Sequence, residues 1–258
     1  MDAPVATVSG VVPATEPLAD DLVVEVVESN ALIARSGGQR VGALRWRVLD
    51  AETVELIQDP DFPGAEAEVA AALVAAAEEV AAGDGFTWLV AGGVRRPLPL
   101  VLEIPTAAAM RELGVRLGEL ARAGDLVILT GDLGAGKTTL TQGIGAALGV
   151  EGPVTSPTFV LSRIHRGGTG RPDLVHVDAY RLGGLDEVDN IDLDSDVDHS
   201  VTVIEWGAGM AEQLSDDRLE IDIRRAHGAE TDSRTVLLRP VGSRWADLRS
   251  ADLCGALS

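Results

Sequence analysis

A glycine-rich stretch near the middle of the chain has the spacing of a phosphate-binding loop. Residues 131–138 read G-D-L-G-A-G-K-T, which fits the pattern G-x-x-x-x-G-K-T. Glycines let successive backbone N–H groups turn toward one phosphate, and a following helix start adds partial positive charge. Lys137 supplies an ammonium for the β- and γ-phosphate oxygens, and the Thr138 hydroxyl is placed to ligate Mg²⁺. The stretch therefore predicts a nucleoside-triphosphate site.

The lysine of this stretch is informative because the chain otherwise uses arginine. Lysine and arginine together number 21, and Lys137 is the only lysine. A replacement of lysine by arginine throughout the chain would spare a position where only a compact ammonium fits. The alternative, a glycine-rich turn that binds nothing, leaves this lysine without a reason.

Two mostly apolar runs each end in an acid that could serve hydrolysis. Residues 174–178 read L-V-H-V-D, and residues 201–205 read V-T-V-I-E. The ends of parallel strands meet at one edge of a sheet, so Asp178 and Glu205 should emerge beside the glycine loop. Acids there would hold a metal ion or orient water. The alternative for either acid alone is a strand cap without chemistry.

A third feature is the sequence Ser156-Pro157-Thr158, which follows the helix after the glycine loop. It places two hydroxyls on a segment that proline stiffens. This is the position at which a segment that senses the γ-phosphate would lie, so Thr158 is a candidate for that role.

The flanking residues supply the strand and the helix that such a loop requires. Residues 125–130 fit a short buried strand, and Leu140, Ile144 and Leu148 recur at helical spacing. The predicted fold class is α/β: a mostly parallel sheet of the P-loop NTPase type with flanking helices, plus a small α+β domain before it. The predicted division is a disordered leader at 1–20, an α+β domain at 21–96, a linker at 97–101, a P-loop domain at 102–245 and a C-terminal tail at 246–258.

Composition restricts the partners and the compartment. The net charge is −20, and neither half of the chain carries the basic field that holds a nucleic-acid backbone. If the protein serves an RNA-modifying process, we expect another subunit to hold the RNA. The chain has no apolar run that approaches 18 residues and no secretory signal pattern, so we expect no membrane span. Its single cysteine, Cys254, excludes an intrachain disulfide and suits the cytoplasm.

The N-terminal pattern resembles a shortened GCN5-related acetyltransferase. Over residues 22–95, an antiparallel meander is followed by one helix and one more strand. That family binds the coenzyme A pyrophosphate through an (Arg/Gln)-x-x-Gly-x-(Gly/Ala) turn, whereas residues 60–68 read P-D-F-P-G-A-E-A-E. The arginine and the glycine spacing are missing, and Glu66 and Glu68 oppose an anion there. The expectation is a degenerate domain that binds a partner or serves the structure.

Four motifs in the remainder closely resemble the TsaE family of bacterial ATPases. They are G-D-L-G-A-G-K-T-T at 131–139, S-P-T at 156–158, H-V-D-A-Y-R-L at 176–182 and I-E-W at 204–206. The resemblance implies a weak ATPase that docks on the TsaD–TsaB pair. In that system TsaD transfers a threonylcarbamoyl group to N6 of adenosine 37 in tRNA, and ATP hydrolysis supports or resets the complex. The chain would therefore meet tRNA only through its partners.

The resemblance also implies roles for single residues. Thr138 and Glu205 are the expected Mg²⁺ ligands, and Asp178 should position water or make a second Mg²⁺ contact. Trp206 should lie against the nucleotide or a mobile segment. Lys137, Asp178 and Glu205 form the predicted catalytic set. The predicted ATP-binding residues are Asp132, Leu133, Gly134, Ala135, Gly136, Lys137, Thr138, Thr139, Thr158 and Trp206.

Two other functions fit part of this pattern. A small-molecule kinase would use the same loop, but it also needs an arginine-bearing lid and an acceptor pocket, which the sequence does little to indicate. A nucleotide-dependent scaffold would recruit partners through the N-terminal domain.

The acidic run at 186–198 lacks the glycine turn and terminal glutamate of a calcium loop, so we predict a solvated surface. The histidines show no shared ligand spacing, and His176 is predicted to be a satisfied core residue.

Overall fold

The computed structural model describes residues 11–12, 22–59, 65–157, 162–180, 199–225 and 232–253. Several predicted features lie outside these residues. They are the leader apart from residues 11–12, the turn at 60–64, Thr158, the acidic run at 186–198 and Cys254. The chain divides into two compact units, Met1–Pro99 and Leu100–Ser258.

The described strands of the first unit form one sheet in the sequential order β1 to β7. Neighbouring strands are antiparallel except β5 and β6, which run parallel because helix α1 connects them. The element order of a meander, a helix and a further strand agrees with the sequence-based expectation. The bounds are β1 (Val11–Val12), β2 (Val23–Glu28), β3 (Ala31–Ser36), β4 (Gln39–Val48), β5 (Thr53–Gln58), α1 (Ala67–Gly83), β6 (Trp88–Ala91) and β7 (Val94–Pro97).

Helix α1 covers one face of this sheet and closes the core of the first unit. Leu73 and Ala77 of the helix are buried together with Trp46 and Leu89 of the strands. The helix lies close to β4, since a Cβ added at Gly42 would come within 2.9 Å of Leu73 Cδ1. The alanine-rich face of α1 permits this approach.

The residues just before the predicted linker at 97–101 form a β-hairpin. Gly92 and Gly93, with φ of 57° and 81°, make the two-residue turn between β6 and β7. Two successive positive φ angles are what a tight hairpin of this kind requires, and glycine adopts them without strain. Of the predicted linker 97–101, Pro97 ends β7 and the last two residues begin the next strand.

The second unit has an α/β fold around a mixed sheet. Its described strands lie in the order β10-β11-β12-β9-β13-β14-β8. The central strands β11, β12, β9 and β13 are parallel, whereas β10, β14 and β8 pair antiparallel, so the sheet is less parallel than predicted. The bounds are β8 (Leu100–Ile104), α2 (Ala107–Leu120), β9 (Leu126–Thr130), α3 (Lys137–Leu148), β10 (Ser162–His165), β11 (Asp173–Asp178), β12 (Ser200–Glu205), a 3-10 turn (Glu212–Leu214), β13 (Arg218–Arg225), β14 (Arg234–Val241) and α4 (Ser250–Leu253).

Helices α2 and α3 pack backbone against backbone beneath the glycine loop. The Thr106 hydroxyl caps α2 by accepting from Ala109 N at 3.1 Å. A Cβ at Gly114 would lie 2.9 Å from Gly143 Cα, so both positions require glycine. Leu120 is 37% exposed because α2 ends there. Among the described residues, no helix is long and apolar enough to cross a membrane.

The described part of the predicted C-terminal tail packs on the core of the second unit. Leu248 and Leu253 are buried there, next to Trp245, and α4 begins at Ser250. This segment is short, and its few apolar residues form no periodic pattern from which the packing could be predicted. Residues 246–253 therefore belong to the folded unit.

Candidate functional site

The glycine loop joins β9 to α3 at the carboxyl edge of the parallel strands. Gly131 has φ of +135°, and a side chain there would collide with the Ile223 carbonyl on the neighbouring strand β13. Gly136 has φ of +121° and immediately precedes α3. The N–H groups of the first helical turn, from Lys137, have no acceptor within the helix. The loop therefore presents backbone donors to an anion at its centre.

Lys137 lies in the loop with its ammonium held by the backbone. Nζ donates to the carbonyl oxygens of Gly131 at 2.5 Å and Asp132 at 3.1 Å. Burial lowers the pKa of Lys137, and the nearby carboxylates of Glu205 and Asp178 act in the opposite direction. The pKa of Lys137 is lowered on balance, and the negative charge of these carboxylates limits the effect of burial.

Glu205 ends β12 and reaches the first turn of α3. Its Oε1 accepts a hydrogen bond from the Thr138 hydroxyl at 2.8 Å and lies 2.8 Å from His176 Nε2. The side chain is 4% exposed. A hydroxyl that donates its proton to a carboxylate keeps its lone pairs for a metal ion. Thr138 and Glu205 thus form a pair with the chemistry of a magnesium site.

Asp178 ends β11 and lies directly opposite Glu205 in the parallel register. Its Oδ2 accepts from the Ser156 hydroxyl at 2.8 Å, and its Oδ1 accepts from Tyr180 N at 3.1 Å. The strand-end reasoning placed both acids at this edge, and the two strands do end there side by side. The bond from Ser156 joins the segment 156–157 to the same edge.

Trp206 follows Glu205 in a left-handed backbone conformation, with φ of 62°. This angle turns the indole over the loop, where Lys137 Nζ lies 3.8 Å from the ring centroid. The Tyr180 ring packs against it at 5.1 Å between centroids. The conformation is fixed by a hydrogen bond from Trp206 N to the Leu129 carbonyl. A positive φ is unusual at a bulky residue.

Two arginines that the sequence analysis did not select border the loop. Arg234 at the start of β14 is 13% exposed, and its Nε donates to the Ala135 carbonyl at 3.2 Å. It pairs across the hairpin with Arg225, whose Nη1 lies 3.9 Å from where a Cβ at Gly134 would be. Both arginines could have been selected only by knowing that β13 lies next to β9 in the sheet. The sequence alone did not show that these two strands are neighbours.

His176 was also assigned a different role by sequence reasoning. It was predicted to be a satisfied core residue, and it is fully buried on β11. One ring nitrogen contacts Glu205, while Nδ1 has no hydrogen-bond partner among the described residues. The histidine is therefore part of the site and is not fully satisfied.

The residues present fit a magnesium nucleotide. The described residues contain no group of three or more His, Cys, Asp or Glu side chains that would hold a metal ion alone. Mg²⁺ is ordinarily held by one or two protein oxygens together with phosphates and water, so Thr138 and Glu205 suffice when phosphates occupy the loop. Leu133 lies at the tip of the loop and is 88% exposed. Its side chain is apolar, so only its backbone is suited to bind a phosphate.

Comparison with known proteins identifies relatives of the second unit. The model of the family described as threonylcarbamoyl adenosine biosynthesis protein TsaE matches residues 104–236. A Streptomyces coelicolor protein, named tRNA threonylcarbamoyladenosine biosynthesis protein TsaE, is 56% identical over 148 residues, which are 57% of this chain and 100% of that protein. Proteins of the same name from Mycobacterium bovis and Bacillus subtilis are 48% and 39% identical, and the matches cover 84% and 75% of those relatives.

A solved structure is also similar to this chain. The crystal structure of Bacillus subtilis YdiB is 30% identical, and the match covers 57% of this chain and 88% of that one, with a TM-score of 0.47. The family match begins at residue 104, after the first unit. The expected acetyltransferase-like identity of the first unit has no support from these comparisons.

Proposed function

The chain belongs to the TsaE family, and from that premise we propose that it binds and hydrolyses ATP in support of tRNA threonylcarbamoyladenosine formation. The role in this modification follows from relatives of that name at 48–56% identity. The observation that carries the ATPase proposal is the contact of Thr138 with Glu205 at the start of α3. This contact joins the end of the glycine loop to a carboxylate suited to a metal ion.

The residues of the site divide the work of hydrolysis between them. The loop amides and Lys137 bind the phosphates and offset their charge. Thr138 and Glu205 would hold Mg²⁺, which when bound neutralises charge on the β- and γ-phosphate oxygens. Asp178, held by Ser156 and the Tyr180 amide, orients a water molecule. Trp206 covers Lys137 and excludes bulk water from its ammonium.

We assign tRNA contact to partners. The chain carries a net charge of −20, so it offers no field that would attract a polyanion. TsaD and TsaB are the expected partners, with TsaD as the subunit that modifies adenosine 37. A cytoplasmic location remains an expectation from the process served.

The direct test measures the rate of ATP hydrolysis with and without TsaD–TsaB. The amount of modified adenosine 37 is measured in the same mixtures. We expect slow turnover alone and stimulation by the pair. Lys137→Ala and Glu205→Ala should abolish both stimulation and the restoration of modified tRNA in depleted cells. If both variants restore modification fully, ATP hydrolysis is not the function, and the scaffold alternative replaces the ATPase proposal. Appearance of a phosphorylated metabolite would instead identify a kinase.

For the first unit, we propose a degenerate acetyltransferase-like domain that serves as a structural or partner-binding element. The described meander, helix and parallel strand support this fold. Glu66 and Glu68 at the start of α1 disfavour a pyrophosphate there. Calorimetry with acetyl-coenzyme A should show no binding, and micromolar affinity would reverse the proposal.

A further inference from the structure

We propose that His176 is a positioning residue that fixes the carboxylate of Glu205 for Mg²⁺. This inference rests on the proposed function, because it concerns how that site is assembled. His176 lies on β11 and Glu205 on the adjacent strand β12. The two side chains meet at 2.8 Å with almost no solvent exposure.

Both side-chain hydrogen bonds of the Glu205 carboxylate are made by the same oxygen, Oε1. The Thr138 hydroxyl and His176 Nε2 both lie 2.8 Å from Oε1. A carboxylate oxygen accepts, so His176 must carry its proton on Nε2. Two donors from different elements, α3 and β11, fix the orientation of the carboxylate. Within the described part of the chain, Oε2 accepts no hydrogen bond, and it is the oxygen left for a metal ion or its water.

The other ring nitrogen shows that this arrangement has a cost. Nδ1 of the same ring has no hydrogen-bond partner among the described residues. A buried ring nitrogen without a partner destabilises a fold. An apolar residue in this strand would avoid that cost, as Val175 and Val177 do on either side. The contact with Glu205 is the gain that offsets it.

A second buried histidine provides a matched control. His165 lies on β10, the strand next to β11, and is also almost fully buried. Its Nε2 likewise has no partner among the described residues, and the hydrogen bonds of Glu205 Oε1 come from Thr138 and His176, not from His165. A substitution at His165 therefore removes a buried imidazole from the same sheet without removing the donor to Oε1.

The experiment measures how strongly Mg²⁺ tightens nucleotide binding. Calorimetry at pH 8 gives the Kd of the full chain for a non-hydrolysable ATP analogue, in Mg²⁺ and in EDTA. Orienting residues behind a metal ligand typically change metal affinity by about 10- to 100-fold. We expect His176→Leu to reduce the ratio of the two Kd values by about tenfold or more, mainly by weakening binding in Mg²⁺. The Kd in EDTA should stay near wild type.

Two further variants separate positioning from packing. The amide nitrogen of glutamine takes nearly the position of Nε2, so His176→Gln should restore the wild-type ratio. His165→Leu should leave the ratio unchanged even if it lowers the melting temperature. A wild-type ratio in a folded His176→Leu protein overturns the inference, as does failure of glutamine to rescue where leucine has an effect. A wild-type protein indifferent to Mg²⁺ would overturn both the inference and the proposed ATPase.

Discussion

Two threonines stand side by side at the start of α3, and the Thr138 hydroxyl is the one that meets Glu205. The motif spacing alone selected Thr138 as a metal ligand, because the position after the lysine is fixed by loop geometry. The resemblance to the family assigned Thr139 to the nucleotide as well, and we expect it to act through its backbone. The pair therefore allows a substitution at one position to be compared with an identical substitution at the next.

We expect Thr138→Val to reduce Mg²⁺-dependent ATP turnover at least tenfold, by about the order seen when metal-site groups are removed. Valine has nearly the same shape but no oxygen for the ion and no proton for Glu205. Steady-state phosphate release with and without TsaD–TsaB measures the effect. Thr139→Val should turn over ATP within about twofold of wild type. Equal losses in the two variants would contradict the assignment of the metal to Thr138.

The sequence predicted where the two candidate acids lie in the sheet, but it did not predict which side chains contact them. Asp178 and Glu205 were found because an acid after an apolar run marks a strand end, and parallel strand ends share an edge. His176 was not found, because an apolar strand does not show which neighbour its side chains meet. Arg234 was missed for the same reason, since its contact with the Ala135 carbonyl depends on long-range pairing.

At the scale of elements, the contact between α2 and α3 supports the glycine loop. Gly114 and Gly143 allow the two backbones to touch, since a Cβ at Gly143 would lie 2.8 Å from Gly114 Cα and collide with the Arg111 carbonyl. Backbone atoms cannot move aside as a side chain can. Because α3 carries Lys137 and Thr138 at its start, a shift of this helix displaces the site.

Gly143→Ala should lower the free energy of unfolding of the second unit by about 1–3 kcal/mol and weaken nucleotide binding. Urea unfolding and calorimetry with ADP measure the two effects. Gly83, at the end of α1, has nothing within 4 Å of an added Cβ. Gly83→Ala should therefore be neutral or stabilise by up to about 1 kcal/mol. A stable Gly143→Ala protein would show that the helices can separate without cost.

The strand β10 gives the second unit a dependence on pH. Burial lowers the pKa of His165 below its ordinary value of 6.5, and His176 and Arg163 act in the same direction. The unfolded chain therefore takes up a proton first as pH falls, so the stability from a neutral His165 is complete above pH 6.5 and is lost below it. His165→Gln should remove this loss. Relative to this variant, wild type should lose up to about 1.4 kcal/mol per pH unit in unfolding titrations; parallel curves would contradict the prediction.

At the scale of the whole molecule, the chain contains two units with separate hydrophobic cores. The first unit has one core, around Trp46 and Leu89. The second unit has two clusters, one that includes Leu129 and one that includes Ile128. The sequence predicted two folded parts with a linker at 97–101 between them. It did not predict the β6–β7 hairpin or the packing of α4, because a Gly-Gly pair and a few apolar residues also fit a linker and a tail.

Two leucine substitutions test this separation. Leu89 and Leu129 are both fully buried in strands, one in each unit. Either change to alanine should cost about 2–5 kcal/mol of the stability of its own unit. Leu129→Ala should also weaken ADP binding, because β9 leads into the glycine loop, whereas Leu89→Ala should leave the affinity unchanged. An equal loss of ADP affinity in both would show that the cores fold as one.

The scarcity of lysine in this chain has a spectroscopic consequence. Lys137 carries the one side-chain ammonium in 258 residues, and it lies between two backbone carbonyls and an indole ring. Feeding cells nitrogen-15 lysine would label this position alone, so a heteronuclear spectrum should hold one side-chain resonance that needs no assignment. The chemical shift of this single nitrogen, at the centre of the site, would report the binding of nucleotide, magnesium and partner as each is added.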